Sequence, residues 1–321
     1  MNRRTLLATL PSAFLAMPAL AQPGWPSRPV RVIVPFTPGG STDAMARTTA
    51  AKLTEKLGQP FVVENRPGAN GAVGGRAVAE AAPDGYTLCF SASIQMLARQ
   101  VMRNPGYDPV ADLQPIIRTG RGPLLLLMNR SRTPNTLAEL LAAVRASPRD
   151  WTFAVSSLGA AGHLATIEFI RQAGVELVQV PYRGTAPAIT DVVAGNVTLV
   201  IEPILATWPP ARDGLAKAMA ITAAERSNAA PNVPTAAEGG MPNLDIQSWW
   251  GLWGPRALPA EIVARIGDAL RTGMLEPDVF ARVGTLGIEP MAEVGADFAA
   301  FIRSDVERAE ALLRLANFQP E

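Results

Sequence analysis

Short apolar runs rich in β-branched residues alternate with longer stretches of helical period along most of the chain. Val30, Val32, Ile33 and Val34 make the first run. Pro35 and Pro38 end it, because proline cannot donate to a strand ladder. A helical pattern opens at Ser41 or Thr42, with Met45, Thr49, Leu53 and Leu57 recurring every four residues, and Gly58 stops it as a C′ glycine. Phe61-Val62-Val63 reads as a short buried strand, Asn65 to Gly71 as a turn, Ala72 to Ala82 as a helix and Tyr86 to Phe90 as a third strand. This β-α-β-α-β order predicts a parallel sheet with covering helices.

Gly106 to Gln114 reads as a surface excursion, and Ile116-Ile117 and Leu124 to Met128 as two strand-like runs, the second crossing into another domain. The alternation then repeats. Helices are expected over Leu137–Ala146, His163–Arg171 and Thr185–Ala194, and strands over Trp151–Val155, Val178–Val180, Val197–Ile201 and Lys217–Thr222. Asn232 to Pro242 is a Pro/Gly-rich return, and Ile246 to Gly254 a second crossing strand carrying Trp249, Trp250 and Trp253. These tryptophans either border a cleft or pack the hinge, and alternation within a buried strand favours packing. Helices follow over Pro259–Thr272, Asp278–Val283 and Ala296–Leu315, the last with an apolar stripe at 3.6 period that should pack on the first domain. The expected fold is α/β: two doubly wound βα domains joined by two crossing strands, with a cleft between them. Residues 22–124 and 245–321 form the first domain and residues 125–244 the second.

Composition narrows the chemistry. The 321 residues carry a formal net charge of +1, so nothing favours nucleic acid or a polybasic membrane contact. The lone cysteine, Cys89, excludes an intrachain disulfide, and one histidine with one cysteine excludes a His/Cys metal cluster. Neither the dinucleotide nor the P-loop glycine pattern occurs, so no cofactor is expected. Residues 1–21 read as a leader: Arg3 and Arg4, an apolar stretch broken by Pro11 and Pro18, and a small-x-small site ending at Ala21. Export is expected, by ordinary secretion or the twin-arginine route.

The loop after the first strand carries the strongest signal. Phe36, Thr37, Pro38, Gly39, Gly40, Ser41, Thr42 and Asp43 pass from strand to helix N-terminus. Glycines let a bound group approach the backbone, and the first-turn N–H groups of the helix suit an anion. Ser91 and Ser93 follow the third strand, and ligands of open parallel sheets sit at the carboxyl ends of strands. Both loops therefore point to one pocket. A catalytic reading must use His163, with Ser156 or Ser157, because it is the sole histidine. No G-x-S-x-G elbow supports it. It remains as the alternative, an exported hydrolase of a small carboxylate or ester, beside a periplasmic sensor that presents a bound ligand to a signalling receptor.

Five segments occur in a diagnostic order: V-P-F-T-P-G-G-S-T-D, V-V-E-N-R-P-G-A-N-G (62–71), A-A-P-D-G-Y-T-L (81–88), V-P-Y-R-G-T-A-P-A (180–188) and N-V-P-T-A-A-E-G-G (232–240). Together they resemble the solute receptors of tripartite tricarboxylate transporters, the Bug family of periplasmic binding proteins. The resemblance implies a Venus-flytrap receptor, periplasmic and monomeric, that binds a small organic carboxylate and delivers it to membrane permease subunits. It implies no catalysis. Ser156, Ser157, Gly162 and His163 resemble the family's second-domain Ser/Gly loop, with His163 donating to a ligand or capping its own loop. Arg183, Gly184 and Thr185 match its basic-Gly step, with Arg183 meeting a distal carboxylate or lying on the surface. At Glu202 and Thr198 the chain departs from the family's usual acids. A cleft-facing Glu202 would favour a ligand amine or hydroxyl and repel a second carboxylate; a solvent-facing one would be inert.

Overall fold

The computed structural model describes residues 24–320, so the expected leader lies outside the described residues. The first series runs β1 (Val30–Val34), α1 (Ser41–Leu57), β2 (Phe61–Asn65), α2 (Ala72–Ala79) and β3 (Thr87–Ala92). β1 pairs in parallel with both β2 and β3. α1 buries Met45, Ala46, Thr49, Ala50 and Leu53. Gly58 ends it in the left-handed conformation, its N–H bonded to the Thr54 carbonyl.

The segment read as a surface excursion is mostly exposed or half-buried, with only Pro109 and Leu113 buried. Tyr107, between the short helices α3 (Ala98–Val101) and α4 (Pro109–Asp112), packs against the core, and Leu113 just after α4 is buried. The two runs expected at 116–117 and 124–128 are one strand, β4 (Leu113–Asn129). Its first part, up to Pro123, pairs antiparallel with β9 (Gln247–Pro255), which in turn pairs with β3. Its last part, from Leu124, pairs antiparallel with β7 (Leu199–Pro203) and β8 (Ala216–Ile221). The crossing strands thus run antiparallel to their neighbours and weld two lobes into one curled, mixed sheet of order β2-β1-β3-β9-β4-β7-β5-β6, where β5 is Thr152–Val155 and β6 is Val178–Pro181.

The second lobe repeats the first. α5 (Leu137–Ala146) precedes β5 (Thr152–Val155), α6 (Ala161–Ala173), β6 (Val178–Pro181) and α7 (Thr185–Ala194). β5 pairs in parallel with β6 and β7. β7 lies two residues later than the pattern suggested, which brings Glu202 to its carboxyl end. Besides α3 and α4, two elements had no sequence expectation. α8 (Ile204–Arg212) contains Pro209 and Pro210, residues that ordinarily argue against a helix interior. β10 (Glu289–Val294), E-P-M-A-E-V, lacks a regular apolar alternation and pairs with the first part of β4 as an edge.

α9 (Ala260–Gly273) and α10 (Pro277–Gly284) cover the first lobe, where Val32, Met45, Leu53, Phe90, Ile266 and Leu270 share one core. α11 (Gly295–Leu315) lays its stripe, Phe298, Ile302, Val306, Ala309, Leu312 and Leu313, into a core shared by the two lobes, touching β4 and also α6. Where the chain crosses between lobes, the buried Thr222 hydroxyl accepts the Leu124 N–H (3.0 Å) and donates to the Ile246 carbonyl (2.6 Å).

Candidate functional site

The parallel strands of both lobes direct their carboxyl ends to one cleft of about 740 Å³. From the first lobe come Phe36, Ser41 and Thr42 after β1, Asn70 after β2, and Ala92 and Ile94 at the end of β3. From the second come Ser156 and Ser157 after β5, Tyr182 to Thr185 after β6, and Glu202 at the end of β7. Ser248 and Trp250 of β9 close the floor. The volume suits a small organic molecule. The walls mix aromatic and aliphatic surface with hydroxyls. Among the described residues that line it, Arg183 is the one cation and Glu202 the one carboxylate.

α1 presents its N-terminus to the cleft. The N–H groups of Ser41, Thr42 and Asp43 precede the first intrahelical bond, from Ala44 N–H to the Gly40 carbonyl. The Thr42 hydroxyl accepts the Trp250 indole N–H at 3.0 Å, which fixes both groups in the wall. Asp43 does not face the ligand space. It is buried and holds the loop: Arg47 bonds it with two nitrogens (2.9 and 3.0 Å), the Asn65 amide donates at 2.9 Å and the Gly39 N–H at 3.1 Å. Burial pushes its carboxyl up, but these donors outweigh burial and hold it below the usual carboxylate range. Gly39 sits at φ +89°, a conformation that permits its contact with Asp43.

Asn70 was not anticipated. It lines the cleft with φ +49°, next to Ala69 at φ +47°. Two successive non-glycine residues in the left-handed region carry strain of roughly 1 kcal/mol or more each. The N-G pair in P-G-A-N-G was the available signal, read only as a turn. The Ser157 hydroxyl reaches the Asn70 side-chain amide oxygen, Oδ1, at 3.5 Å, so the two lobes meet at this point.

In the second lobe three polar groups converge. Glu202 is buried, its Oε1 accepts the Ser156 hydroxyl, and its Oε2 accepts the Thr185 hydroxyl at 2.9 Å. Burial pushes its carboxyl up, partly opposed by these two hydrogen bonds. The N-termini of α6 and α7 open beside it at Ala160 and Thr185. Arg183 lines the cleft from an exposed position.

Several expected positions lie elsewhere. Thr37, Pro38, Gly39 and Gly40 are exposed and outside the cleft wall. Ser91 is fully buried because strand alternation turns Ala92, not Ser91, to the cleft. Ser93 opens a 3-10 turn and does not line the space. Gly162 packs behind Glu202. His163 is buried; its Nδ1 accepts the Gly159 N–H at 3.0 Å and its ring meets Phe318 edge-on at 5.6 Å. Burial holds its pKa down to about 4. Neither Ser156 nor Ser157 is hydrogen-bonded to it, so the Ser–His pair of the hydrolase reading does not form. Trp250 borders the cleft while Trp249 and Trp253 pack in the core.

Residues 45–318 match the model of the tripartite tricarboxylate transporter family receptor, TctC. The chain belongs to this receptor family. It is 35% identical to the protein BugT of Bordetella pertussis over 320 residues, 98% of each chain. Among solved structures it is similar to the R. palustris protein Rpa4515 with adipate (35% identity, TM-score 0.83, 92% of this chain and 100% of that one). It also resembles MatC from Rhodopseudomonas palustris with bound malate (32% identity, TM-score 0.77, 90% and 100%). The family consists of substrate-binding receptors rather than enzymes, and its members are periplasmic binding proteins. This chain is accordingly a periplasmic solute receptor of that family and not an enzyme.

Proposed function

We propose that the cleft takes one small organic carboxylate as cargo for the transporter's membrane subunits. The ligand's carboxylate rests against the first-turn N–H groups of α1, with the Ser41 hydroxyl and the Asn70 amide beside it. Phe36, Ile94, Leu158 and Trp250 cover its body. The far end faces Ser156, Ser157 and Thr185. One observation carries this reading: the strand ends and helix N-termini of both lobes converge on a single cleft of ligand size. The relatives crystallised with adipate and malate support the carboxylate class. Oriented N–H dipoles in a closed cleft can hold a carboxylate without a dedicated lysine or arginine.

The lobes move as bodies comprising residues 22–124 with 245–321, and 125–244. Closure is a population shift driven by contacts that both lobes make only when closed. The mature chain starts at Gln22 and acts as a monomer. The test is titration calorimetry on protein unfolded and refolded to remove carried-over ligand, against a panel of aliphatic and aromatic acids. Binding of at least one acid with one site per chain is expected. Asn70→Ala should weaken it roughly tenfold, about 1.4 kcal/mol. No binding across the panel, or full affinity in the variant, contradicts the assignment.

A further inference from the structure

Glu202 has surroundings that an incidental cleft carboxylate would lack. It is 4% exposed and forms no ion pair with any lysine or arginine of the described chain. The Ser156 and Thr185 hydroxyls each have one proton, and each gives it to a Glu202 oxygen. Neither proton is left for an incoming acceptor. Thr185 is the first residue of α7, and α6 starts at Ala161, so the carboxylate sits where the helix ends of this lobe favour an anion. The sequence also clears room for it: a Cβ on Gly162 would collide with the Ile201 carbonyl and the Glu202 carboxylate. The anion position of the second lobe is thus filled by the protein itself.

We propose that Glu202 is a built-in anion standing where the second lobe would otherwise take a distal carboxylate, so that the cleft selects acids with one anionic end and a hydrogen-bond donor, ammonium or hydroxyl, at the other. This rests on the receptor reading above. The remaining lone pairs of Glu202 accept the ligand's donor. A second carboxylate at the same place would force one of the two buried carboxyls to take up a proton, with the local hydroxyl protons already spent.

The test compares frameworks of three sizes, propionate, hexanoate and benzoate, each carrying at its far end a carboxylate, a hydroxyl, an amine or hydrogen. Refolded wild type and Glu202→Gln are titrated with all of them by calorimetry. In wild type, on the framework that binds, the amine or hydroxyl form should bind at least roughly tenfold more tightly than the dicarboxylate. In Glu202→Gln that preference should shrink or invert. Wild-type preference for the dicarboxylate overturns the proposal and leaves the receptor reading intact; this arm needs no variant to fold. An unchanged preference in a folded Glu202→Gln also overturns it. Failure of every probe to bind either protein overturns the receptor reading, and this inference with it.

Discussion

The Nδ1 atom of His163 accepts the Gly159 N–H, and its ring is packed against Phe318. The residue therefore serves the loop that positions Ser156 and Ser157 rather than the ligand. Its protonation has a measurable consequence. The ordinary imidazole value is 6.5, and burial holds this group down to about 4 in the folded protein. Between those values the unfolded state binds the extra proton. The stability His163 contributes is full above pH 6.5 and is lost as pH falls towards 4, on the order of 3 kcal/mol. His163→Asn keeps an acceptor for the Gly159 N–H and removes the titration. Its melting temperature should fall less than that of wild type between pH 6.5 and 4. Parallel profiles would show that His163 does not govern this window. At this scale the sequence gives residue types and order but not facing. The opening loop was singled out because it follows a strand, and the serines after β5 through the family resemblance; of these the structure puts Phe36, Ser41, Thr42, Ser156 and Ser157 in the cleft wall. That Ala92 and not Ser91 faces the cleft depends on the phase of β3, and Asn70 depends on a left-handed backbone that a turn motif alone does not assign to a wall.

β4 and its neighbours decide how the lobes are joined. The strand pairs with β9 up to Pro123 and with β7 from Leu124. Thr222 ties the crossing points by accepting the Leu124 N–H and donating to the Ile246 carbonyl. Thr222→Val has nearly the same shape and removes both bonds. It leaves a buried N–H and a buried carbonyl without these partners, at a cost of roughly 1–3 kcal/mol. The melting temperature should drop by several degrees, and amide exchange at Leu124 should speed up. Unchanged melting and exchange would mean that the hydroxyl does not staple the crossing. Elements with clean periodicity, such as α5 and α7, were readable to the residue. α8 was not, because Pro209 and Pro210 mask a helix whose later turn tolerates them. β10 was not, because an edge strand with one pairing partner needs little apolar alternation.

The whole molecule follows from one rule applied twice. Each lobe is a parallel βα sheet, each sheet offers loops at its strand ends, and the antiparallel crossing strands turn the two sets of loops to face one another. Alternation along the chain was enough to expect two such lobes and a cleft. It could not show that Ile116 and Leu124 belong to one strand, because the polar and glycine-containing stretch between them breaks the apolar pattern while the backbone ladder continues. Nor could it show α11 bridging the lobes through α6. In the folded protein this leaves one place of ligand size where helix N-termini from both lobes converge. The most direct measurement is a crystal structure grown with the tightest-binding acid of the titration panel. The expected result is a ligand carboxylate within hydrogen-bonding distance of the Ser41 and Thr42 N–H groups, its body between Phe36 and Trp250. An acid bound outside this cleft, or bound within it with its carboxylate turned away from α1, would contradict the reading.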